Sequence, residues 1–149
     1  MSKAPELEVA DAMLAVIVGA SLPLTVVATR RDYAVEALLD LTDVRVVHVI
    51  PSGLLTTHQS RGKWFDLVTV DIGLIAKSTT ENQASIDGLR WLREAIKREF
   101  VSNNESLTLS PSGDVAQLIN IETTIPLWAD KLKTSGCFVG VMQYQWRIM

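Results

Sequence analysis

The residues able to do chemistry in this 149-residue chain are few, and their spacing limits what they can do. There is one cysteine, Cys137, and there are two histidines, His48 and His58. A zinc site of four Cys and His ligands cannot be assembled from that supply within one chain. His48 lies inside the apolar run VRVVHVI, with Val46 and Ile50 on its own face, and no serine or carboxylate is placed beside it. It reads as a half-buried sheet histidine rather than as the base of a catalytic triad. His58 falls in a polar stretch and reads as solvated. Cys137 opens a strand and reads as a buried thiol acting as a small apolar side chain. Gly62-Lys63 superficially matches the end of a phosphate loop. The first glycine of that motif is replaced by Thr57, Trp64 stands in the Ser/Thr place, and a strand follows where a helix is needed.

Val70-Asp71-Ile72-Gly73 is the stronger pattern, because an aspartate and a glycine on a strand resemble the metal-binding strand of ribonuclease-H-like nucleases and actin-like ATPases. Two-metal chemistry there needs further carboxylates converging on Asp71. Asp66, Asp114 and Glu122 are the available ones, and strand alternation puts Asp66 on the opposite face from Asp71. The plainer reading is a strand with one polar residue and a glycine that permits close packing. Trp64, Trp91, Trp128 and Trp146 are spread singly, without interleaved basic residues, and read as core or interface residues rather than a base-stacking platform. Trp91 is expected at the edge of the core. Trp128, in a loop beside Pro126, is the better interface candidate.

The elements that must position these residues follow from periodicity. Pro5, Glu6, Glu8 and the exit at Gly19 frame a first helix with Val9, Ala10, Met13, Leu14, Val16 and Ile17 at helical spacing. Leu24–Thr29 reads as a short strand, and Ala34–Leu41 as one or two helical turns. Val44–Ile50 reads as a strand stopped by Pro51. The polar stretch Ser52–Lys63 then forms an extended hairpin tip before a long strand, Trp64–Ala76. In that strand Trp64, Asp66, Val68, Val70, Ile72 and Leu74 share one face. Thr80 and Gln83 form a capping-box pattern opening a second helix, striped by Ile86, Leu89, Leu92, Ile96 and Phe100. Glu94 and Arg98 are spaced for an ion pair on its outer side. Strands follow at Ser106–Ser110, Val115–Ile121 and Cys137–Ile148, with a turn at Pro111–Asp114. The order favours an α+β fold: a mainly antiparallel mixed sheet with two principal helices packed on it, in a single domain covering 1–149.

Composition narrows the classes further. Apolar residues make up 48% and charged residues 21%, which suits a folded globular chain. Fourteen basic against seventeen acidic side chains leave a net charge of −3, the wrong sign for a DNA-binding face. The longest uninterrupted apolar run, Ala12–Ala20, is about half of a membrane span. Glu6, Glu8 and Asp11 precede it, which is the wrong charge pattern for a secretory leader. Neither a catalytic residue nor a bound cofactor or metal is expected. The hairpin-tip residues Leu54, Leu55, Arg61 and Lys63, with Trp128, are the candidate interface, because exposed leucines in a polar segment call for a partner.

Several phrases also resemble the tail terminator (tail completion) proteins of long-tailed bacteriophages. They are the helix Glu6–Gly19, VRVVHVIP (Val44–Pro51), WFDLVTVDIGLIAK (Trp64–Lys77), ENQASIDGLRWLREAIKREF (Glu81–Phe100) and FVGVMQYQW (Phe138–Trp146). The similarity covers most of the chain through degenerate patterns. It implies a mixed sheet backed by helices and a homo-oligomeric ring, usually hexameric, with no catalysis. Such a ring caps the tail tube, stops its polymerisation and presents the head-joining surface. The implied partners are the tail tube protein and the head–neck connector, and the implied location is the head-proximal end of the virion tail, assembled in the bacterial cytoplasm. An acidic balance suits a conduit through which DNA passes without specific binding. The alternatives are a neck or head-completion connector, a metal-dependent nuclease built on Asp71, and a plain α+β interaction module.

Overall fold

A computed structural model describes residues 3–31, 45–77, 83–125, 127 and 137–148, the side chain of Ile125 apart. The elements, in chain order, are α1 (Pro5–Gly19), β1 (Val27–Arg30), β2 (Val46–Ser60), β3 (Lys63–Lys77), α2 (Gln83–Asn103), β4 (Ser106–Thr108), β5 (Val115–Ile125) and β6 (Cys137–Ile148). They form one six-stranded sheet in the order β1-β2-β3-β6-β5-β4. Only the β1–β2 pair is parallel; the rest are antiparallel. The fold is α+β, two helices on a mixed sheet.

Alternation decides which sheet face the helices cover. Val68, Val70, Ile72 and Leu74 of β3 point to one side, and their partners Trp146, Tyr144 and Met142 on β6 and Val47 and Val49 on β2 join them there. Val9, Ala10, Met13 and Ile17 of α1 and the whole α2 stripe (Ile86, Leu89, Leu92, Ile96 and Phe100) are buried in the same cluster. Both helices therefore lie on one face. Phe100 meets Tyr144 and Trp146 edge-on, at ring separations of 5.1 and 6.0 Å, a favoured aromatic geometry. The opposite face holds a small second cluster, Ile75, Cys137 and Val139. Cys137 is a buried thiol.

Five expectations are corrected. The strand begun near Val44 does not stop at Pro51, and residues 52–63 are not an extended tip. β2 runs on to Ser60, and only Arg61 and Gly62 turn the chain. Pro51 is tolerated because β1 pairs with β2 only as far as Val49, and the register shift between Pro51 and Gly53 absorbs the irregularity. Gly62, at φ 73°, supplies the left-handed residue that so tight a turn requires. The first short strand begins at Val27 rather than Leu24. Glu94 does not pair with Arg98: its carboxylate takes Lys97 at 2.7 Å, and the Arg98 guanidinium stacks on Trp91, 4.8 Å from the ring centroid. Trp91 itself is exposed rather than at the core's edge. Gly73 is not required by close packing among the described residues, where a Cβ would meet no atom within 4 Å. Residues Ala34–Leu41, Thr80 of the capping box and Trp128 lie outside the described residues.

Candidate functional site

The described members of the sequence-chosen interface set, Leu54, Leu55, Arg61 and Lys63, fall along the outer half of the β2–β3 hairpin. β6 pairs with β3 from Lys77 to Asp66 and stops there, so Lys63, Trp64 and Phe65 extend past it with β2 as their only strand neighbour among the described residues. Leu54 is 44% exposed, Leu55 60% and Trp64 64%. Leu54 and Trp64 stand on the helix-bearing face, because Leu54 pairs with buried Val68 and Trp64 lies two pairs beyond Asp66. Leu55 is on the opposite face. Arg61 sits in the turn and Lys63 opens β3, both exposed. The hairpin carries all four with Trp64, but Leu54 and Leu55 lie level with Trp146 and Arg147 of β6, and only Arg61, Lys63 and Trp64 belong to the end that projects past β6; Trp128 is not among the described residues. The His58 ring packs against Trp64 at 4.8 Å, and the Thr56 hydroxyl donates to Asp66 Oδ1 at 2.7 Å. Those contacts tie the two strands of the hairpin end together.

The carboxylates that a nuclease would need do not converge. Asp71 sits in the row Ile50–Asp71–Gln143–Glu122, so a whole strand separates it from Glu122. Asp66 is on the other face, and Asp114 lies in the turn before β5. Among the described residues no group of three His, Cys, Asp or Glu side chains is placed to hold a metal ion. Burial raises the Asp71 pKa above the usual carboxylate range, and hydrogen bonds with Gln143 and Ser52 partly offset it. His48 is buried opposite Gly73, and its Nδ1 has no hydrogen-bond partner among the described residues. Burial, with the nearby Arg31 charge, lowers its pKa, so the imidazole stays neutral.

A second feature escaped the sequence reading. β5 bulges between Leu118 and Asn120, leaving Ile119 as an extra residue, 52% exposed. It lines a groove of about 350 Å³ between the β5 edge and α2, together with Lys97, Val101, Glu105, Leu118 and Ile121. The signal was there in the apolar residues at 116, 118, 119 and 121: the step from Leu118 to Ile121 breaks strict alternation. No described helix is long and apolar enough to cross a membrane. No protein-family model matches the chain, and no curated protein matches it either.

Proposed function

We propose that this chain is a structural protein of a phage tail, a tail terminator. In this reading several copies close into a ring on the last ring of the tail tube. The ring ends tube growth and presents the surface to which the head connector docks, with no catalytic step. One observation carries it: along the outer half of the β2–β3 hairpin Leu54 and Leu55 stand exposed on β2, and Arg61, Lys63 and Trp64 stand exposed on the end that projects past β6. Exposed apolar side chains so grouped are placed for contact with other protein. The resemblance of the strand and helix phrases to tail terminators supplies the kind of partner, and the α+β architecture agrees with what that resemblance implies.

The test is tail assembly with and without the protein. Tubes that overgrow in its absence and regain uniform length on its return are the expected result. Tubes of normal length that stay unjoined to heads would instead assign it to the neck. A Leu54→Ser/Leu55→Ser double variant is expected to fold yet leave most tails uncapped.

A further inference from the structure

The two sides of the sheet are stepped at different heights. β1 lies against β2 from Val46 to Val49 and leaves the outer half of β2 without a further strand among the described residues. β4 lies against β5 from Val115 to Gln117 and leaves β5 beyond Leu118 without one. The paired rows give the heights. Thr29, His48, Gly73, Val141 and Ile125 share one row, at the inner end where β1 stands. Leu107, Ala116, Ile148, Asp66 and Thr56 share another, at the outer end where β4 stands. Each margin strand is thus level with a bare stretch on the opposite side of the sheet.

The charged side chains match across the sheet as well. Arg31 continues the line of β1: its N–H donates to the Val49 carbonyl at 3.0 Å, which sets it beside Ile50. Ile50 opens the row Ile50–Asp71–Gln143–Glu122, so Arg31 and Glu122 stand at the two ends of one row. Both are on the face without helices. Alternation puts Ala28 and Arg30 on the other face, where Ala28 packs on the core and Arg30 pairs with Asp11 of α1 at 2.9 Å. Arg31 and Glu122 are exposed, and neither has an ion-pair partner among the described residues. Four strand spacings, about 19 Å, separate them within one copy. At the outer end Arg61 and Lys63 stand at the β2–β3 turn and Asp114 at the β4–β5 turn, again exposed and without an ion pair.

We propose that copies of this chain stand side by side, head to tail, with Arg31 of one copy paired to Glu122 of the next. This interface deepens the ring reading above and rests on it for the closure of the assembly. Rotation about an axis along the strands keeps every residue at its own height. It brings Arg31 beside Glu122 and sets β1 of one copy in the bare margin next to the end of β5 of the other. β4 of that other copy enters the bare margin beside Leu55 and Thr56, and its Asp114 approaches Arg61 and Lys63. β1 and β4 occupy different heights of the shared margin, so among the described residues no strand meets another end-on. Bulges interrupt β5 on both sides of Glu122, and side chains rather than a continuous ladder carry the contact there. Either margin set against itself gathers Arg31, Arg61 and Lys63 together, or Asp114 and Glu122, and like charges facing each other oppose association. A head-to-tail contact stays finite only when its rotation closes, which makes a ring.

Charge exchange tests the pairing. Arg31→Glu and Glu122→Arg, each alone, are expected to raise the concentration at which the oligomer forms in light scattering by roughly tenfold. The double variant restores an opposite-charge pair between copies and is expected to return to within about threefold of wild type. Such recovery cannot arise inside one chain, where the two sites are too far apart to touch. A second arm reads proximity: co-expressed Arg31→Cys and Glu122→Cys chains, treated with a short bismaleimide, are expected to give covalent dimers. Either cysteine variant alone is expected to give none, because like sites on neighbouring copies lie about 24 Å apart, at five strand spacings. Wild type, whose Cys137 is buried, is expected to stay uncrosslinked. Circular dichroism confirms that each variant is folded. A double variant no better than the singles, dimers from Arg31→Cys alone, no dimer from the mixed pair, or a wild type monomeric at every concentration would overturn the pairing. The readout needs no tail. Dimers formed by a protein whose absence leaves tails unchanged would sink the tail reading and keep the interface.

Discussion

Asp71, His48 and Glu8 are the three titratable groups whose surroundings make them informative. Asp71 has a raised pKa, so the folded protein holds its proton to higher pH than the unfolded chain does. Ionisation of Asp71 therefore costs stability as pH rises from the ordinary carboxylate value through the raised one. Asp71→Asn is expected to leave the melting temperature unchanged or raise it, and to leave tail capping intact. Loss of a metal-dependent nuclease activity in that variant would contradict the structural role. His48 works in the opposite sense. Its folded pKa is lowered, so below its ordinary value of about 6.5 the unfolded chain takes up the proton first. Stability is expected to fall as pH drops through the window between that value and the lowered one. His48→Leu flattens the profile there in chemical-denaturation midpoints measured across pH. Glu8 is buried and its carboxylate accepts from the Ser112 N–H at 3.0 Å and the Ser112 hydroxyl at 2.7 Å, joining α1 to the turn before β5. Glu8→Ala strands both donors and is expected to cost about 1.5–3 kcal/mol of unfolding free energy.

At the scale of elements, α2 and the β2–β3 hairpin depend on different physics. α2 is held by its stripe: Phe100 lies fully buried between Tyr144 and Trp146, and Phe100→Ala is expected to cost about 3–5 kcal/mol in a denaturant titration. The hairpin end depends on its turn. Gly62 at φ 73° cannot take a Cβ without strain, so Gly62→Ala is expected to cost about 1–2 kcal/mol. Gly73 is the contrasting case. A methyl there meets nothing within 4 Å among the described residues and φ is not positive, so Gly73→Ala is expected to raise stability by about 0.4–1 kcal/mol, read from the same titration.

For the whole molecule the decisive quantity is native mass. Six copies of a 16.4 kDa chain weigh roughly 98 kDa, and light scattering across a concentration series is expected to approach that plateau if a hexameric ring forms. A dimer at every concentration would contradict the ring. In the ring reading, the contact-making surface is the exposed side of the β2–β3 hairpin.

Much of this architecture was legible in the amino-acid order, because periodicity is a local property. The α2 stripe from Ile86 to Phe100, the alternation along β3 and the bounds of α1 are each written within one segment, and the folded chain keeps them. The exposure of Leu54, Leu55, Arg61 and Lys63 was legible too, from their place in a polar stretch. Their secondary structure was not. A proline and a run of polar residues look like a loop until a partner strand supplies the ladder, and that partner, β3, lies across the turn. Arg98 likewise had an acidic neighbour at helical spacing, yet the Trp91 ring took its guanidinium and Lys97 took Glu94. Which strands become neighbours, and that Leu118 and Leu54 stand on the same face, depends on strand order. Strand order is set by contacts distant in sequence, so only the tertiary structure could decide it.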